Sequence, residues 1–294
     1  MCTKLMCIFM IIFSICAYSA FAQQQSDPDS IVLIRLKDKT QLRGMIIERT
    51  DTTLVIKTTS GLEVKVPQTS IISIEPVQGK FEKGLFIRSD PNYSRLMFSP
   101  TGRPLRKGEG YFTDYYVFFP GVSYGFTDNF SVMAGFSIVP GINFGDQLKY
   151  LAPRIGIQLN KSVAISAGAL YISFLNEVGA GIAYGVATVG EQDKSLTAGI
   201  GFGYIREEDE DFKFARRPIL MLGGNIRLSN SLAFVSENWF YPISEMNFDE
   251  QPFALALRFF GDRLAVDAGL IFSFEMVSKG FPMPWLSFVY HFKG

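Results

Sequence analysis

The chain carries a single histidine, and its three cysteines, Cys2, Cys7 and Cys16, all lie in the first 22 residues. A mature chain without thiols forms no disulfide and holds no Cys-ligated metal. A lone histidine is equally poor material for a catalytic zinc, which ordinarily takes several His ligands. An excess of charge is also missing: 28 basic side chains meet 28 acidic ones, which leaves out the basic footprint of a nucleic-acid-binding protein. No run reaches the ~18 apolar residues of a membrane-spanning helix. The nearest, Ser162 to Gly190, is broken by Asn176 and Glu177 and studded with glycines. Glycine costs about 1 kcal/mol against alanine inside a helix, and the residues alternate, so strands are expected there. Gly199 to Gly203 lacks the spacing of a dinucleotide-binding loop, and the carboxylates of Arg206 to Asp211 lack that of a calcium loop. No cofactor and no metal is expected.

What is present begins with a secretory signal over residues 1–22. Lys4 opens it, Leu5 to Ala17 form a short apolar core, and Ala20-Phe21-Ala22 offers a cleavage site before Gln23. Residues 23–29 are a polar leader. Residues 30–77 form a compact β-rich unit of five short runs, Ile31–Leu36, Gln41–Glu48, Thr53–Thr58, Leu62–Val66 and Ile71–Glu75, separated by turn residues at Lys37-Asp38-Lys39, Thr50-Asp51, Ser60-Gly61 and Pro67. Residues 78–91 read as a linker.

From residue 92 to the end, five short polar turns recur at roughly 33-residue spacing, enough for two membrane-length strands and one longer loop. They are Thr127-Asp128-Asn129, Asn160-Lys161-Ser162, Glu191 to Lys194, Ser229-Asn230-Ser231 and Gly261-Asp262-Arg263. Each leads into alternating apolar residues. About twelve strands are expected, the first over 92–99 and the second over 111–125. The fold class is therefore all-β: a transmembrane antiparallel up-and-down β-barrel over 92–294, preceded by a small five-stranded β-barrel-like domain. Face patterns agree with a lipid setting. Phe253, Leu255, Leu257 and Phe259 share one face while Arg258 takes the other. Leu264, Val266, Ala268, Leu270 and Phe272 likewise oppose Asp267. An apolar exterior around a polar interior reverses the pattern of a soluble barrel. Short turns on one rim and longer connections on the other place both barrel ends, and the small domain, on the periplasmic side.

Strand parity also nominates lumen residues. Isolated charges in a narrow barrel are costly unless paired or hydrated, so an ionic network of Arg154, Arg227 and Arg258 with Glu237 and Asp267 is expected. A second wall of small residues comprises Gly168, Gly179, Gly181, Gly185, Gly199, Gly201 and Gly203. It leaves two readings open: a narrow channel, or a lumen filled by bulky side chains from the opposite wall.

Three resemblances bear on these expectations. Leu36 to Thr40, Gly44, Leu54 to Thr58, Gly61, Val66-Pro67 and Ile71 resemble SH3-like or Sm-like small barrels, largely through turn chemistry. RNA binding is not carried over, because a secreted domain of balanced charge meets no RNA. The last strand, Trp285 to Phe292, with Leu286, Phe288, Tyr290 and Phe292 on one face, resembles the aromatic-ended final strand of Gram-negative outer-membrane β-barrel proteins. It departs from them in the trailing Lys293-Gly294. That resemblance implies outer-membrane lipid and the barrel-insertion machinery as partners, and residues 30–77 are a candidate dock for a periplasmic protein. Finally, Gly121 to Gly125 matches the G-x-S-x-G of serine hydrolases, with Ser123 as nucleophile and His291 as the one available base. In that family a helix follows the serine; here a turn into another strand does. The expected function is thus non-enzymatic: a narrow pore for small solutes or a structural envelope protein. A membrane-anchored binding or assembly protein is the alternative, and an outer-membrane lipid hydrolase a distant third.

Overall fold

The computed structural model describes residues 31–58, 60–82, 85–174, 178–206, 212–241 and 246–293. The signal segment 1–22, the leader 23–29 and the acidic stretch 207–211 lie outside the described residues. The chain divides into two compact units, one ending at Ser89 and the other spanning Asp90–Lys293.

The first unit is built on five antiparallel strands: β1 (Ile31–Leu36), β2 (Gln41–Arg49), β3 (Thr53–Thr58), β4 (Glu63–Pro67) and β5 (Ile71–Pro76), in the order β4-β3-β2-β1-β5. A 3-10 turn at Gln68–Ser70 carries the chain from β4 to β5, which returns to pair with β1. Alternation puts Val32, Ile34, Leu54, Ile56 and Val66 into one core. The apolar run of β1 has a second buried face, and there Ile31 and Leu33 pack with Val77 and Phe86. Phe86 comes from a hairpin of β6 (Gly79–Glu82) and β7 (Leu85–Arg88), and Arg43 lies 4.9 Å over its ring. The stretch 78–91 is therefore no plain linker, because the second face of β1 needs a cover. Leu54 is fully buried, so Leu54→Ala should cost this unit about 2–5 kcal/mol. Hydrogen exchange on the full chain should show faster exchange over residues 31–76 alone, with the barrel strands unchanged.

The second unit is a closed antiparallel barrel. Its twelve wall strands are β8 (Glu109–Tyr115), β9 (Phe119–Gly125), β10 (Phe130–Phe136), β11 (Lys149–Asn160), β12 (Val163–Phe174), β13 (Val178–Glu191), β14 (Lys194–Arg206), β16 (Ile219–Ser229), β17 (Leu232–Phe240), β18 (Phe253–Phe260), β19 (Leu264–Phe272) and β20 (Met283–Lys293). Each pairs with its sequence neighbour, and β20 pairs with β8 to close the ring. The two-residue β15 (Lys213–Phe214) adds to the end of β14. All five polar turns sit at one rim. The opposite rim carries most of the longer connections, including a short helix α1 (Phe274–Lys279) capped by the Ser273 side chain. Among the described residues no helix is long and apolar enough to cross a membrane.

Two strand assignments differ from the sequence expectation although the total agrees. Residues 111–125 are not one strand but most of the β8–β9 hairpin, reversed at Tyr116 and Val117, both with positive φ (54° and 69°). Such turns normally advertise themselves with Asn or Gly; an aromatic followed by a β-branched residue carries no such signal. Residues 92–99 are not in the wall at all. They run inside the lumen.

On the wall, alternation is strict where the sequence is cleanest. In β18, Leu255, Leu257 and Phe259 are exposed on the outside while Ala254, Ala256, Arg258 and Phe260 are buried within. In β20, Leu286, Phe288 and Tyr290 face out and Ser287 and Val289 face in. The exterior is an apolar band of the kind that lipid covers.

Candidate functional site

The most consequential element is the segment from Asp90 to Gly108, which precedes the first wall strand and fills part of the lumen. It folds on itself as a tight loop: Thr101 N–H donates to Ser94 O at 3.0 Å, Leu96 N–H to Ser99 O at 2.8 Å, and Arg95 bridges to Pro100. Asp90 opens the loop by accepting the Asn92 N–H at 2.8 Å. Leu96 and Met97 then pack into an apolar cluster with Val186, Met221, Val235 and Ala256 of the wall. A peptide segment in a lumen must have its backbone groups satisfied, and inward polar side chains of the wall do this.

Arg258 is the centre of the arrangement. Its Nε and Nη2 donate to the two oxygens of Asp267 at 2.7 and 2.9 Å, its Nη2 also to Leu96 O at 2.7 Å, and its Nη1 to Asp90 at 3.2 Å. Arg258 and Asp267 are cross-strand partners in the β18–β19 ladder, so register brings them together. Glu237 does not pair with an arginine. Its carboxylate accepts the backbone N–H of Phe98 (2.9 Å) and Ser99 (3.0 Å), the Ser99 hydroxyl (2.6 Å) and Trp239 Nε1 (2.9 Å). Arg154 donates to the carbonyls of Ser94 (3.0 Å) and Arg103 (3.3 Å). Further along, Thr188 Oγ1 accepts the Gly102 N–H, Ser166 donates to Thr101 O, and Arg103 reaches Gly190 O at 2.9 Å. Tyr93 donates to Glu109. His291 Nε2 meets Asn92 Oδ1 at 2.7 Å.

The expected single ionic network therefore does not form. Arg258 and Asp267 are paired, Arg154 and Glu237 hold opposite sides of the inner segment, and Arg227 is elsewhere. Arg227 pairs with Asp193 of the β13–β14 turn at 2.6 Å and lies 5.1 Å over the Phe260 ring, at the turn rim. The inner segment keeps these charges apart and supplies their missing partners. Asp90, Asn92, Arg95 and Arg103 were not among the sequence-derived lumen residues. Their signal was there: a stretch rich in polar residues with no consistent alternation.

The small-residue wall divides as well. Gly168 faces inward beside Tyr184, and Gly199, Gly201 and Gly203 do so along β14. Gly179, Gly181 and Gly185 stand on the outward face. The pairing Gly168↔Tyr184 puts even-numbered β13 residues inside, and Val186 and Thr188 touch the inner segment from that side. Two of the outward glycines have an identifiable use. Tyr171 lies against Gly179 and Tyr204 against Gly181, with the Tyr204 hydroxyl donating to Leu170 O at 2.9 Å. Aromatic rings thus cover the bare backbone on the outer face of the barrel. Ser123 lies within β9 rather than at a strand-to-helix turn, and it makes no hydrogen bond with His291.

Between the inner segment and the rim of longer connections lies a cavity of about 300 Å³. Its lining is almost wholly apolar: Tyr115, Tyr150, Leu170, Ile182, Trp239 and Trp285 are representative, and the inward Gly199 and Gly201 provide part of its width. The inner segment forms its floor with Ser94, Arg95 and Phe98. The architecture is that of an outer-membrane β-barrel.

No protein-family model matches this chain, and no curated protein matches it either. Among solved structures, one similar fold is a KdgM porin in complex with disordered oligogalacturonate, at 9% identity and a TM-score of 0.41, covering 62% of this chain and 95% of that one. Another is OmpTΔL8, a loop L8 deletion mutant of OmpT, an outer membrane protein of Vibrio cholerae, at 11% identity and a TM-score of 0.32, covering 89% of this chain and 96% of that one. Such likeness extends to barrel architecture and carries no argument about ligand or activity.

Proposed function

We propose that this is a non-enzymatic outer-membrane protein that admits small solutes into its lumen under the control of its own inner segment, rather than a permanently open pore. The observation that carries this reading is the position of residues 90–108: they occupy the lumen, tied to several wall strands, and leave a chamber above them. A barrel of twelve strands is wider than the eight-stranded barrels that side chains alone can fill, so a threaded segment is an effective closure. The apolar outer band fits outer-membrane lipid, and the aromatic-ended β20 fits recognition by the barrel-insertion machinery. The uniform placement of polar turns at the rim that also holds both barrel ends supports a periplasmic position for that rim and for the unit of residues 31–88.

The test is electrical. In planar bilayers the wild-type protein should insert without steady ion conductance, and a stable open level would sink the gated reading. A second reading, a membrane-anchored binding or assembly protein, draws on the independent two-sided core of the first unit. It predicts bilayer silence that persists when the inner segment is loosened, together with partner retention that depends on residues 31–76. Catalysis is not part of the proposal; Ser123→Ala should leave phospholipid hydrolysis by the reconstituted protein at background, as in the wild type.

A further inference from the structure

The chamber has an unusual floor for so apolar a space. Arg95 is buried, and its guanidinium donates to Thr113 Oγ1 at 2.9 Å and to Met97 O, with the rings of Tyr115 and Tyr111 at 5.1 and 5.9 Å. No carboxylate pairs with it among the described residues. Its Nε has no hydrogen-bond partner, nor has the hydroxyl of the adjacent, equally buried Ser94, nor the indole Nε1 of Trp285. Arg154, also on the lining, is bound only to backbone carbonyls. Two arginines, Arg95 buried and Arg154 half-buried, and three residues with an unspent polar atom thus border a cavity whose other walls are mainly aliphatic and aromatic. Buried polar groups are seldom left unsatisfied, and those that are call for an explanation.

We infer that the chamber binds a monoanionic amphiphile, its acidic head on the floor at Arg95 and Ser94 and its short unbranched apolar tail rising along Leu170, Ile182 and Trp239. The head accepts from Arg95 Nε and the Ser94 hydroxyl, the two donors left unspent at the floor. The tail buries against side chains that offer it no polar contact. A volume of about 300 Å³ lies at the small end of ligand pockets, which run roughly 300–1,000 Å³, so a short chain fits. The inference rests on the reading of the barrel as a solute-admitting protein and names its solute class.

The chain has only two tryptophans, Trp239 and Trp285, and both line the chamber, so intrinsic fluorescence reports on it directly. The full-length protein, folded into lipid nanodiscs, is titrated with 10-bromodecanoate and with its neutral counterpart, 10-bromodecanol. The carboxylate should quench saturably and at least tenfold more tightly than the alcohol. Arg95→Gln should remove that tenfold preference while leaving the alcohol curve in place, and Ala152→Phe, which fills the chamber from β11, should abolish saturable quenching by both. Circular dichroism and heat-modifiable electrophoretic mobility verify that each variant is folded. If Arg95→Gln does not fold, Ser94→Val serves in its place and should weaken the carboxylate selectively. Equal binding of the two probes overturns the acidic-head assignment. Quenching that rises linearly with probe and is indifferent to Ala152→Phe reports lipid partitioning and overturns the site. Neither failure touches the gated reading, which stands or falls on conductance.

Discussion

Arg258→Met should be the most damaging single substitution in the barrel, costing about 3–5 kcal/mol. Its guanidinium, Asp267 and Asp90 are all buried, and removal of the cation strands two carboxylates in a space with little water. The loss is larger than deletion of a methionine-sized contact would produce, because the penalty lies in the unpaired charges rather than in the missing attraction. The test is the denaturant midpoint of the protein folded in lipid vesicles. A triple variant, Arg258→Met with Asp267→Leu and Asp90→Asn, should recover most of the stability, since it removes the stranded charges and keeps an acceptor for the Asn92 N–H. If the single variant unfolds with the wild type, or the triple is no better than the single, the ion pairs are not what holds this part of the lumen.

Glu237→Ala should have the largest effect on permeability. One carboxylate satisfies two backbone N–H groups and a hydroxyl at the turn of the inner segment. Hydrogen bonds to a charged acceptor are worth about 1.5–3 kcal/mol each, and buried donors left bare cost more. Even a net loss of roughly 2–3 kcal/mol raises the displaced population by one to two orders of magnitude. Single-channel records should therefore change from silence to frequent openings. Glu237→Gln keeps one acceptor oxygen and should fall between the two. Deletion of residues 91–104 should give a permanently open level. If that deletion, shown to be folded, remains silent, the inner segment is not the closure and the anchored-binding reading gains.

The legible part of this protein was the part governed by period. Strict alternation in 253–259 and 264–272 assigned Arg258 and Asp267 to the interior, and the polar turns located one rim. What escaped has physical reasons. The β8–β9 reversal uses Tyr116 and Val117, whose side chains give no hint of positive φ. The glycines of β13 were given the wrong face because parity was carried across a hairpin without its register. The inner segment was mistaken for a strand because a chain lining a polar lumen on one side and an apolar cluster on the other shows neither period. Glu237 was recognised as inward, yet its partners are backbone amides, and backbone partners leave no mark in composition.

The contact between Asn92 and His291 spans 199 residues and joins the inner segment to the strand that closes the ring. The strand that closes the ring by pairing with β8 therefore also grips the residues just ahead of β8. Contacts of such sequence separation slow folding, and here the seam and the lumen's contents share one of them. Sealing the wall and seating the segment are thus coupled through a single strand.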